Sequence, residues 1–139
     1  MLSLEQIIQK IKKAGGRITK VRQGVIAILL VADRPIDAAE LAKRLKKKKI
    51  TADRTTIYRE VLYLLHNSII HRVQLNDGAQ YYEILDEHHH HLVCTSCHSI
   101  VDMILHNDLE EQAKKIWKKE KFKVTDHTLE FFGLCAKCV

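Results

Sequence analysis

Apolar residues recur at helical spacing through the first half of the chain, and the period shortens to alternation further on. Leu4, Ile7, Ile8 and Ile11 share one helical face, with Ser3 and Gln6 placed for a capping box and Gly15-Gly16 for the stop. Thr19 caps a second helix carrying Val21, Val25, Ile28 and Leu29, which must end near Arg34-Pro35 because the residue before a proline resists the α region. Asp37 and Glu40 repeat the capping pattern ahead of a third helix with Ala38, Leu41 and Leu45 inward. It finishes in Lys46 to Lys49, where positive charge suits the helix C-terminus, as a solvated end or as a phosphate contact. A fourth helix is predicted over Arg54 to His66, with Ile57, Val61, Leu64 and Leu65 facing the core. Two strand-like runs follow, Ile69 to Leu75 and Gln80 to Leu85, joined by the hairpin turn Asn76-Asp77-Gly78. Beyond a histidine-rich stretch, Ser99 to Leu105 reads as a strand, Leu109 to Lys121 as a helix and Lys123 to Leu134 as another strand.

This order predicts an α+β chain with a winged helix-turn-helix domain at 1–84 and a small α/β domain at 85–139. In a winged helix the fourth helix enters the major groove of DNA and the hairpin lies against the backbone. The outward face of that helix offers Arg54, Thr55, Thr56, Tyr58 and Arg59, whose types suit phosphates, base edges and thymine methyls. An amphipathic helix with an ordinary polar face is the competing reading. The C-terminal β-β-α-β unit has one face covered by its helix and needs a partner for its edge strands; a second copy of the chain supplies one, so this domain is expected to dimerise.

Charge favours the DNA reading. The formal net charge of +6 is concentrated in residues 1–87, which hold 16 Lys+Arg against 10 Asp+Glu, whereas residues 88–139 hold 7 against 7. A basic domain raises affinity for a polyanion without choosing a sequence. At 139 residues and 46% hydrophobic, the chain has room for two modest cores, and it has no apolar run long enough to span a bilayer. No membrane partner and a cytoplasmic setting are therefore expected, since no signal peptide opens the sequence.

The chemistry is concentrated between Glu83 and Asp102 and at the C-terminus. The four cysteines form two Cys-x-x-Cys pairs, Cys94 with Cys97 and Cys135 with Cys138, which supply the four thiolates of a closed tetrahedral zinc site. A disulfide framework fits neither the charge nor the expected compartment, and a thioredoxin-like motif leaves the second pair unexplained. Four consecutive histidines, His88 to His91, precede Leu92 and Val93. In an extended conformation His88 and His90 point one way and His89 and His91 the other, giving two half-sites that each need further ligands. A solvated histidine loop is the alternative. A hydrolase using such a site as a catalytic zinc centre is a third reading, but no separate nucleophile or general base accompanies it.

Four segments, in order and over nearly the whole chain, resemble the ferric uptake regulator family of metal-responsive bacterial repressors. They are Ala14-Gly-Gly-Arg-Ile-Thr-Lys-Val-Arg22, Thr55-Thr-Ile-Tyr-Arg59, His88-His-His-His-Leu-Val-Cys-Thr-Ser-Cys97, and Asp126-His127 ahead of the last Cys-x-x-Cys. The resemblance implies a homodimer that binds an AT-rich, near-palindromic double-stranded operator when its hinge metal site is loaded. By position it implies DNA contacts from Tyr58 and Arg59, beside Thr55 and Thr56, and from Arg17, which reaches the minor groove, with Thr19 and Arg22 in the same segment. It implies structural Zn2+ at the cysteines and a second divalent ion, Fe2+, Mn2+ or Zn2+, at a regulatory hinge site of Glu83, His89, His91 and Asp102. A further site maps to His88, His90, Glu110 and His127.

Two positions depart from the family pattern. Arg34, just before Pro35, stands where a hinge-site histidine is usual, and His98 replaces a glycine after the second cysteine. A guanidinium beside Glu83 or Asp102 would pair across the hinge. Closure would then be partly independent of metal, leaving as the alternative a zinc-stabilised DNA-binding protein that senses metal weakly or not at all.

Overall fold

The computed structural model describes residues 1–105 and 108–139 and divides into two compact units, Met1–Glu87 and His88–Val139. The first contains α1 (Leu4–Lys13), α2 (Lys20–Val31), β1 (Ile36–Asp37), α3 (Ala38–Lys47), α4 (Arg54–His66), β2 (Ile70–Gln74) and β3 (Gln80–Ile84). Side chains that satisfy backbone N–H groups start each helix. Ser3 and Gln6 exchange the two bonds of a capping box, and Thr19, Asp37 and Asp53 accept from the amides of Arg22, Glu40 and Thr56 at 3.1, 2.8 and 2.7 Å.

Ile7, Ile11, Val25, Ile28, Leu41, Leu45, Ile57, Val61 and Leu64 meet in one core. Ile26 is also fully buried, because α2 is covered on more than one face. This helix ends at Val31, with Ala32 already extended, shortly before the Arg34-Pro35 stop. The early stop frees Ile36 and Asp37 to pair antiparallel with Tyr82 and Tyr81, so the sheet order is β1-β3-β2 and the hairpin is tied back to the helices. Asn76 and Gly78 both take positive φ in the turn, 64° and 81°, as the tight reversal requires.

The second unit contains β4 (His90–Cys94), β5 (Ile100–Met103), α5 (Asp108–Glu120) and β6 (Glu130–Gly133). Strand β4 is central, antiparallel to β5 and parallel to β6. Strand β6 covers four residues, not the whole of Lys123 to Leu134 as alternation predicts, because pairing with β4 is available only opposite His91 to Cys94. The unit hides little of its apolar surface. Val101, Ile104, Trp117, Phe122, Phe131, Phe132 and Leu134 are all exposed.

Candidate metal centres and nucleic-acid interface

The parallel register of β4 and β6 places Cys94 opposite Gly133, so both Cys-x-x-Cys turns leave the sheet at one end. The Thr95 N–H donates to the Gly133 carbonyl at 2.8 Å and holds the two turns together. The four sulfurs all lie within 4.8 Å of one another, with Cys97 and Cys135 Sγ 3.7 Å apart. A tetrahedron with Zn–S bonds of about 2.3 Å has edges of about 3.8 Å, so the cluster fits zinc. Backbone amides of Cys97 and Cys135 directed at Cys94 Sγ bring its thiol down to about 6, and the Ser99 hydroxyl holds Cys97 below its ordinary value. Both shifts favour the thiolates a metal takes.

His88, His90 and His127 form a second cluster, their ligand nitrogens within 4.8 Å of one another. The His88 ring centroid lies 4.7 Å from that of His90 and 4.6 Å from that of His127. His90 is 2% exposed, and its Nε2 has no hydrogen-bond partner among the described residues. Burial, then the neighbouring imidazoles of His88 and His127, lower its pKa below the ordinary 6.5 and keep it neutral, as a ligand must be. A buried, neutral, unpartnered imidazole nitrogen fits a metal. Glu110 lines the same cavity as His88 and His127 but does not belong to the close cluster.

His89 and His91 face the other way, their ring centroids 5.0 Å apart. Asp102 lies directly opposite His91 in the β4–β5 register, and its Oδ1 is 3.8 Å from His91 Nε2. His91 is 2% exposed, whereas Asp102 is largely open to solvent. Glu83 belongs to the N-terminal unit, on β3, where it faces His71; nothing in the sequence reading singled out His71.

On α4, Thr55, Tyr58 and Arg59 are exposed, Tyr58 by 58% despite its size, while Thr56 is half-buried behind the cap. Arg17 and Thr19 are exposed as well. Arg22, expected among the DNA contacts, is instead engaged within its own unit. Only 9% exposed, it pairs with Glu60 through Nε at 2.7 Å and Nη2 at 3.3 Å, donates from Nη1 to the Arg17 carbonyl at 2.6 Å, and lies 3.5 Å from the centroid of the Tyr63 ring. It joins α2 to α4 and fixes the segment that presents Arg17. Arg34 is likewise engaged elsewhere than expected: its Nη2 bonds both oxygens of Glu40, at 3.0 and 2.9 Å, and Glu40 also binds Arg44. The nearby carboxylate of α3 neutralises it. His98 takes a φ of 60°, the left-handed region that makes glycine the easier residue at that turn.

The Ferric uptake regulator family model matches residues 13–132. The zinc uptake regulation protein of Mycobacterium tuberculosis is 32% identical over 90% of this chain and 96% of its own length. The ferric uptake regulation protein of Bacillus subtilis is 29% identical over 97% of this chain and 96% of its own length. Among solved structures, the Helicobacter pylori ferric uptake regulator, described as having three functional metal binding sites, superposes with a TM-score of 0.78. It is 25% identical, with 99% of this chain and 94% of that one covered.

Proposed function

Because the chain belongs to the ferric uptake regulator family, we propose that it is a cytoplasmic, metal-responsive repressor that binds operator DNA as a homodimer. The observation that carries this reading is the union of two features in one chain. One unit directs Thr55, Tyr58 and Arg59 outward from a winged helix, and the other holds thiols and imidazoles in metal-ligand geometry. The dimer is to be formed by the C-terminal unit, whose exposed Val101, Phe131 and Leu134 await cover. Structural zinc belongs at Cys94, Cys97, Cys135 and Cys138. The regulatory ligands are Glu83, His89, His91 and Asp102, and a second site takes His88, His90, Glu110 and His127. When bound, a divalent ion supplies fixed coordination geometry and positive charge. Nitrogen and oxygen ligands suit Fe2+, Mn2+ and Zn2+ alike.

Operator binding, titrated anaerobically with each of these ions, tests the proposal. Affinity should rise on adding one of them, and Arg59→Ala should cost about 1–3 kcal/mol if that side chain reads a base. Operator binding that no added ion changes would reduce the protein to a zinc-stabilised DNA-binding protein. Metal-dependent hydrolysis by the loaded protein would make it an enzyme instead.

A further inference from the structure

Strands β2 and β3 pair so that His71 lies directly opposite Glu83, on the face of the hairpin turned away from Ile70, Tyr82 and Ile84. His71 Nε2 donates to Glu83 Oε1 at 2.5 Å. The two side chains are 29% and 14% exposed, so the contact is largely withdrawn from water at both ends. The bond holds the carboxylate through Oε1. The imidazole is anchored in turn by the strand register, so the orientation comes from the sheet itself. Carboxylates and imidazoles that bind metals are commonly fixed by such an outer contact.

We infer that His71 is a positioning residue for the regulatory metal, acting through Glu83 without itself touching the ion. This rests on the ligand role proposed above for Glu83. An ordinary cross-strand pair would stabilise the hairpin and leave metal affinity unchanged, and this difference makes the inference testable.

The probe is cobalt(II), titrated into full-length protein that retains its structural zinc. Every variant carries His127→Ala, so that the other histidine cluster does not add to the signal. Affinity and the visible absorption bands are followed together, with thermal melting as a check on folding. His71→Ala should weaken cobalt binding roughly 10–100-fold while the bands keep their positions, because the coordinating atoms are the same. His71→Gln, whose amide can donate to the same oxygen, should recover most of the loss. His71→Asn is shorter, keeps a polar side chain on the strand and should not.

If His71→Ala leaves cobalt affinity within about twofold of the parent while Glu83→Gln weakens it tenfold or more, the positioning role is wrong and the ligand assignment stands. If the bands shift in His71→Ala, His71 is itself a ligand and the inference is overturned. If Glu83→Gln changes nothing, the ligand assignment fails and takes the positioning role with it.

Discussion

Replacing Arg22 by methionine should damage the N-terminal unit far more than an arginine in a basic segment normally does. The Glu60 side chain is 12% exposed and the Arg22 side chain 11%, so the substitution leaves a carboxylate withdrawn from water without its cation. Breaking a buried pair from one side costs about 3–5 kcal/mol, and the stacking on Tyr63 and the bond to the Arg17 carbonyl are lost in the same step. Those losses overlap with the first, so about 3–5 kcal/mol is the expected total rather than a floor. In a domain of this size each kcal/mol lowers the melting temperature by roughly 4–8 °C, which puts the drop above 10 °C. Arg22→Met combined with Glu60→Leu should recover most of it, since an apolar pair of similar volume often replaces a buried ion pair at little cost. Thermal and urea unfolding of the two single variants and the double variant give the coupling directly. A single-variant loss below about 1 kcal/mol, or additivity of the two substitutions, would refute a buried pair at this position.

Cys94→Ser or Cys135→Ser should release zinc and unfold the C-terminal unit, because zinc binding there supplies folding free energy; metal content and circular dichroism check this, and a fully folded variant with one zinc fewer per chain would contradict it. Although burial alone would raise it, hydrogen bonds from Arg44 and Arg34 hold Glu40 below the ordinary 4.5. Glu40 therefore contributes stability that is present above about pH 4.5 and lost as pH falls through its lowered pKa. Urea unfolding across that range should show wild type losing its advantage over Glu40→Gln. The loss should stay below about 1 kcal/mol, since the Arg34 side chain is 44% exposed and water screens the pair.

Capping residues and hydrophobic period made the four N-terminal helices legible, because Ser3, Thr19, Asp37 and the apolar faces act within a few residues of themselves. Strand alternation separated His88 and His90 from His89 and His91, as the ring contacts do. The extent of β6 was not legible, since a strand ends where its partner's backbone ends and β4 lies far away in sequence. Two-residue β1 carries no period at all. The roles of Arg22 and Arg34 depend on Glu60, 38 residues on, and on Glu40, 6 residues on, and a basic run says nothing about which carboxylate it will meet. The link between His71 and Glu83 was within reach: the hairpin turn centred on Asp77 sets every cross-strand pair once its register is assumed.

Strand β4 is five residues long, yet it touches every proposed metal centre in its unit. His90 belongs to one face, His91 to the other, and Cys94 ends the strand at the thiol cluster. A single residue inserted between His90 and His91 would put both histidines on one face, because the side-chain period of a strand is two. An insertion between His91 and Cys94 would preserve the histidines but carry the thiols out of reach of Cys135 and Cys138. The strand is therefore a ruler that tolerates changes of letter but not of length. A change of ion preference that keeps these sites has to come through substitutions at fixed positions, with length variation left to segments ahead of His88 or beyond β5.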